Sequence, residues 1–214
     1  MPPSIFPGKG IYAITQDFET DRDRLYAQVE MALEGGVVAV QYRAKNGRAN
    51  DEEATELLQC CARFGVPLII NDDPVMAARI GAQGVHLGKA DAELTSARAI
   101  LGPDAILGVS CYDQVGRAIE AEKLGADYVA FGRFYPSLTK PEAKCAAVGT
   151  LESARKLITL PIVAIGGITA ENGTTLLEHG ADLLAVVEGL FGHADCRARA
   201  RLLSLLWSSS GDFH

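Results

Sequence analysis

LGADYVAFG (residues 124–132) ends a helix-like segment on Gly-Ala and passes at once into an apolar run. The chain repeats the phrase in IGAQGVHLG (80–88) and HGADLLAVV (179–187). Each reads as an α-to-β turn, with a glycine suited to a left-handed helix cap ahead of a short buried strand. Working outward, strand-like runs occur at IYAIT (11–15), VVAVQYR (37–43), LIIND (68–72), GVHLG (84–88), AILGVS (105–110), YVAFG (128–132), IVAIGG (162–167) and LLAVVE (183–188). Helical segments lie between them, such as DRLYAQVEMALEGG, with Leu25, Val29, Ala32 and Leu33 at helical spacing. Gly35, Gly81, Gly125 and Gly180 are placed to cap helix ends.

Eightfold strand–helix alternation predicts an α/β fold, a single (β/α)8 TIM barrel over residues 1–214 with its active site at the C-terminal face of the strands. Residues 1–9 and 208–214 are expected to be flexible tails. A doubly wound open sheet is the alternative, but it usually has a Gly-rich turn after strand 1, and ITQDFET offers none.

The net charge of −7 argues against non-specific nucleic-acid or anionic-membrane partners. No apolar run approaches the roughly 20 residues of a membrane helix. Five cysteines, an odd number without a CxxC, read as reduced thiols of a cytoplasmic protein. Small-molecule ligands are the expected partners, and the sequence leaves homo-oligomerisation open.

Functional groups of such barrels gather where strands run into helices. Alternation along strand 2 puts Val37, Ala39, Gln41 and Arg43 on the interior side, with Lys45 beyond, and Val38, Val40 and Tyr42 toward the helices. An apolar line turning cationic at its end suits an anion, or else a solvated basic loop. Strand 3 ends in NDDP; Asp73 before Pro74 is read as a helix N-cap, which leaves Asn71 and Asp72 free for the mouth. Asp91 follows strand 4, as a second Mg2+ carboxylate or as a helix N-cap. His86 reads first as a hydrogen-bonded core histidine, and Ser110 as a mouth or helix-entry hydroxyl. Gly166 and Gly167 after strand 7, with the turn after strand 8, suit backbone phosphate binding, though glycines there also serve packing. Ser137, Thr139 and Lys140 follow strand 6 on the same face. Two anion sites result. One is metal-assisted, with Arg43, Lys45, Asn71, Asp72, Asp91 and Lys140; the other is mostly backbone, near Gly167 and residues 187–188.

In order and spacing, QYRAK, INDDP, GVHLGKAD, GVS, GADYVAFGRFYPSLTK, PIVAIGGI and GADLLAVV resemble the thiamine-phosphate synthase family over roughly residues 10 to 192. The resemblance implies Mg2+-assisted, dissociative joining of 4-amino-2-methyl-5-hydroxymethylpyrimidine diphosphate to 4-methyl-5-(2-phosphoethyl)thiazole, with release of diphosphate. It implies that Gln41, Tyr42, Arg43, Ala44, Lys45, Asn71, Ser110 and Lys140 hold the pyrimidine diphosphate. Arg43, Lys45 and Lys140 would stabilise the departing diphosphate, and Asp72 and Asp91 would ligate Mg2+. Ser137, Leu138, Thr139, Gly167, Val187 and Glu188 fall at thiazole-phosphate positions. Three residues depart from the family pattern: Tyr112, Arg133 and Glu188. Glu188 is expected either to turn away from the phosphate or to be neutralised by a cation such as Arg133. The alternative is a related barrel without coupling activity, a thiazole tautomerase or a regulatory phosphometabolite-binding protein.

Overall fold

The computed structural model describes residues 6–16, 21–44, 49–88, 91–136 and 145–208, with Asp91 and Ala92 described by their backbone alone. Eight strands, β1 (Gly10–Ile14), β2 (Val37–Tyr42), β3 (Leu68–Asn71), β4 (Gly84–Leu87), β5 (Ile106–Tyr112), β6 (Tyr128–Gly132), β7 (Ile162–Ile165) and β8 (Leu183–Val186), form a closed barrel in sequence order. All neighbours are parallel, and β8 returns to pair with β1. Around it run α1 (Arg22–Glu34), α2 (Asp51–Arg63), α3 (Pro74–Ile80), α4 (Asp91–Leu101), α5 (Val115–Lys123), α6 (Gly149–Arg155), α7 (Gly173–Glu178), α8 (Glu188–Phe191) and α9 (Cys196–Ser208).

Helix α1 buries Leu25, Val29, Ala32 and Leu33, the four positions its spacing predicts. Asp21 caps its amino end by accepting from the Arg24 N–H at 3.2 Å. Its other end corrects a detail: Gly35 is right-handed, and Gly36 carries the positive φ of 98°. Gly35 serves closeness instead, since a Cβ there would lie 2.4 Å from Ala200 of α9.

Two apolar clusters reflect the two faces of the strands. The outer one packs residues such as Val40, Leu107 and Leu184 against the helices. The inner one contains Tyr12, Ile14, Ala39, Ile69, Tyr128, Ala130, Val163 and Ala185. Gly108 makes this interior possible, because a Cβ there would fall 2.0 Å from the Tyr128 ring. Strict alternation fails at the start of β2, where Val37 belongs to the outer cluster and Val38 packs on the inner one. The β1–β2 register shifts between Ile11 and Tyr12, which reverses the two valines.

The expected amino-terminal tail is too long. Phe6 is 5% exposed and stacks on Tyr128, with ring centroids 3.9 Å apart. It closes the N-terminal end of the ring, and its burial stabilises the fold by about 2 kcal/mol. At the other end Ser208 still belongs to α9.

The repeated phrase has a physical task. Gln83, Asp127 and Asp182, at matching places in its three copies, accept from the backbone N–H groups of Leu68, Leu107 and Ile162, each at 2.8 Å. Each ties the start of one strand to the residue preceding the next. In two copies an arginine from a helix end joins: Arg98 binds Asp127 at 3.0 Å and the Gly125 carbonyl, and Arg155 binds Asp182 and the Gly180 carbonyl. Asp127→Ala leaves the Leu107 N–H without its acceptor and takes the carboxylate from Arg98, which keeps the carbonyls of Gly102, Pro103, Ala105 and Gly125, and is expected to lower stability by about 2 kcal/mol. Asp127→Asn keeps the acceptor and should cost about 1 kcal/mol. Urea unfolding checks this, and equal midpoints for the two variants would assign the effect elsewhere.

Candidate active site

At the C-terminal ends of the strands the barrel opens into a cavity of about 670 Å³. Its base is apolar, formed by Ile14, Ala130, Val163 and Ala185. Gln41, Arg43, Asn71, Asp72 and Ser110 line one arc of the mouth, and Gly167, Val187 and Glu188 line another.

On the first arc, Asp73 caps α3 as its sequence implies, accepting from the Met76 N–H at 2.8 Å. Asp72 is thereby left to face the cavity, in left-handed backbone geometry (φ 61°). Its carboxylate accepts from the Gly88 N–H at 3.0 Å and from Asn71 Nδ2 at 2.8 Å. Tyr112, also left-handed (φ 56°), donates its hydroxyl to the Gly88 carbonyl at 3.1 Å, and the Arg117 guanidinium lies 5.3 Å from its ring centre. A bulky aromatic rarely adopts this backbone, so these contacts hold a strained residue at the cavity wall.

Beneath this arc runs a buried chain of polar groups. Gln41 Nε2 donates to the Tyr12 hydroxyl at 2.9 Å, and the Tyr12 and Tyr128 hydroxyls meet at 2.8 Å. Tyr128 meets His86 Nδ1 at 3.0 Å, and His86 Nε2 meets Ser110 Oγ at 2.9 Å. His86 is thus the hydrogen-bonded core residue its position implied, and it also borders the cavity. Burial pushes the Tyr12 and Tyr128 phenols well above their ordinary pKa, so both stay protonated.

On the second arc, Gly167 has a φ of 64°, and a Cβ there would lie 2.3 Å from the Pro136 carbonyl oxygen. The glycine lets the segment after β6 lie against the end of β7. The loops after β7 and β8 also touch: a Cβ on Gly189 would fall 2.3 Å from the Ile168 carbonyl oxygen. Glu188 begins α8, and its Oε2 accepts from Gln16 Nε2 at 2.7 Å. Its other oxygen crosses Gly192 at the far end of that short helix. The carboxylate is held toward the end of β1 and away from the amino end of α8. Glu188→Ser is therefore expected to leave the KM for the phosphate substrate that the family resemblance implies unchanged or lower, with little change in kcat. Loss of activity in a folded Glu188→Ser variant would give the glutamate a positive role.

Two positions implied by the family resemblance have side chains directed away from the cavity. The Tyr42 side chain points away from the cavity, donating to Glu53 of α2 at 2.7 Å, and Ala44 packs on the outer cluster. Tyr42 ends β2 between Gln41 and Arg43, which line the cavity, so what it and Ala44 can offer a ligand there is their backbone. Lys45, Ser137, Leu138, Thr139, Lys140 and the side chain of Asp91 lie outside the described residues. Sequence reading also missed Tyr12, Tyr128, Gln16 and Arg117. The two tyrosines carried a weak signal, an aromatic with a polar tip inside an otherwise apolar strand.

A closed parallel barrel with a polar-rimmed, apolar-floored cavity at its C-terminal face defines a (β/α)8-barrel enzyme acting on small molecules. The family model described as thiamine monophosphate synthase matches residues 11–190. The chain belongs to the thiamine monophosphate synthase family. It is 52% identical over 206 residues to the thiamine-phosphate synthase of Thiobacillus denitrificans, covering 95% of this chain and 97% of that protein. It is 49% identical to that of Methylococcus capsulatus, covering 94% and 91%. Among solved structures, the thiamine phosphate pyrophosphorylase from Pyrococcus furiosus superposes with a TM-score of 0.82 at 31% identity, covering 94% of this chain and 96% of that one.

Proposed function

We propose that this cavity joins 4-amino-2-methyl-5-hydroxymethylpyrimidine diphosphate to 4-methyl-5-(2-phosphoethyl)thiazole, giving thiamine phosphate and diphosphate. The observation that carries the reading is one cavity with two differently equipped arcs. Its 670 Å³ fits the usual range for ligand sites, about 300–1,000 Å³, and leaves room for two small substrates. Gln41, Asn71 and Ser110 would hold the pyrimidine diphosphate beside Arg43, and Gly167 and the backbone near Val187 and Glu188 would hold the thiazole phosphate. Ser137, Leu138 and Thr139 would complete the second subsite, and Lys45 and Lys140 the first.

The bond between the pyrimidine methylene and the diphosphate oxygen breaks, and its electron pair leaves on oxygen. The electron-rich aminopyrimidine supports the cationic methylene, and the thiazole nitrogen lone pair forms the new carbon–nitrogen bond. No proton moves, so the step asks for neither a general acid nor a protein nucleophile. The buried thiols agree: burial raises Cys61 and Cys111 to about 12, away from thiolate chemistry. The chain's contribution is electrostatic, with Arg43, Lys45 and Lys140 stabilising charge that builds on the departing oxygens.

Among the described residues the Asp72 carboxylate is available to Mg2+, and no group of three or more His, Cys, Asp or Glu gathers to hold a metal ion. Asp72 presents a carboxylate at the mouth, and its two hydrogen bonds leave further lone pairs on each oxygen. Mg2+ needs only one or two carboxylates when phosphate oxygens and waters complete its shell. Asp72 and Asp91 would hold it, and when bound it supplies positive charge to the departing diphosphate. All five cysteines are unpaired, which supports a reducing cytoplasm as the compartment. None of the described helices is long and apolar enough to cross a membrane.

The deciding assay incubates both substrates with the protein, with and without Mg2+, and measures diphosphate and thiamine phosphate together. Release of diphosphate without thiamine phosphate would reduce the reading to a hydrolase.

A further inference from the structure

We infer that the buried chain Gln41–Tyr12–Tyr128–His86–Ser110 is a positioning device that fixes which hydrogen-bonding groups the cavity offers to the pyrimidine ring. The inference rests on the condensation reading above. It assigns Tyr12, Tyr128 and His86 a role in specificity although they act through Gln41 and Ser110.

Proton counting sets the direction. Gln41 Nε2 donates to Tyr12 at 2.9 Å, so the single Tyr12 proton goes to Tyr128, 2.8 Å away. Tyr128 accepts it and gives its own proton to His86 Nδ1 at 3.0 Å. His86 is then neutral, with its proton on Nε2, and donates to Ser110 Oγ at 2.9 Å. The serine proton is left for the cavity. At the other end Gln41 keeps its Oε1 acceptor and its second amide proton for the same space.

Gln41, Tyr12, Tyr128 and His86 are 2%, 1%, 0% and 8% exposed, so water is not at hand to reverse a link locally. Reversing the Gln41 amide would require every proton along the chain to turn and His86 to change tautomer. Because burial keeps both phenols protonated, the links stay hydroxyl links.

An acceptor beside a donor at Gln41, with a hydroxyl donor at Ser110, complements an aminopyrimidine. Its exocyclic amino group donates to Oε1, and its ring nitrogens accept. The 4-oxo analogue offers the inverse pattern, a carbonyl acceptor and a ring N–H donor, and meets like against like. The chain thus selects amino over oxo pyrimidines from beneath the site.

Two measurements test this. In protein labelled with 15N-histidine, long-range 1H–15N spectra report the His86 tautomer, with the signal assigned by removing the other three histidines in turn (His179→Gln, His193→Gln, His214→Gln). The Nε2–H tautomer is expected, and the Nδ1–H tautomer overturns the proposal. Separately, Tyr12→Phe and Tyr128→Phe each cut the chain while keeping the ring. Each should lower the kcat/KM preference for the amino over the 4-oxo pyrimidine diphosphate about 10-fold, with the thiazole-phosphate KM unmoved. A chain broken once is already broken, so the double variant should be no worse than the worse single. Preference retained in both singles, or losses that multiply in the double variant, overturns the proposal alone. A wild-type chain that makes no thiamine phosphate overturns the condensation reading and this proposal together.

Discussion

Asp72→Asn is expected to lower turnover about 100-fold, equivalent to about 2.7 kcal/mol of transition-state stabilisation. The substitution is structurally mild. Asn accepts the left-handed backbone that Asp72 adopts at φ 61°. Its carbonyl oxygen can keep the Gly88 N–H, and Asn71 can turn its own amide to meet the new NH2 group. What disappears is the negative charge that would hold Mg2+ at the mouth. Initial rates at limiting Mg2+ make the measurement, and raising Mg2+ should recover part of the loss. Near wild-type turnover at limiting Mg2+ would remove Asp72 from the metal assignment.

Gly167→Ala is expected to have an effect of similar size by another route. The added Cβ meets the Pro136 carbonyl oxygen at 2.3 Å and the Tyr135 Cβ at 2.8 Å, on a backbone with φ 64°. Neither neighbour is the far end of a flexible side chain, so the segment 133–136 has to move. That segment leads into residues 137–140, proposed to touch both substrates, and a displacement of about 1 Å in a positioning group can cost about 100-fold in rate. Turnover should fall by that order while far-UV circular dichroism and the unfolding midpoint report an intact barrel. Unchanged turnover would mean that the segment yields without disturbing the site.

The fold was legible because its signals are local. Helix spacing, Gly-Ala turns and apolar runs each occupy a few residues, and eight repeats leave few architectures to consider. Gln41 and Arg43 were legible for the same reason, since a strand period places them at a mouth, and Asn71 and Asp72 because the Asp73–Pro74 cap leaves them there without a structural task. Tyr42 entered the candidate site by motif, while its alternation pointed the side chain to the helices, where it meets Glu53. The links from Tyr12 to Tyr128 and from Phe6 to Tyr128 were not legible. They join residues more than a hundred positions apart that meet only through ring closure. Val37 and Val38 were misread because a register shift between two strands has no mark in either strand alone.

Pairing of β1 with both β2 and β8 has a bearing on synthesis. The first strand of the barrel to be made has one edge that finds no partner until Leu183–Val186 have been made. At about 5–20 residues per second, that edge waits roughly 10–35 s. During that interval the nascent chain carries two unpaired strand edges, at β1 and at the last strand completed, both open to other chains. Dependence on cellular chaperones should therefore fall late in translation, when the final strand emerges and the two edges annul each other.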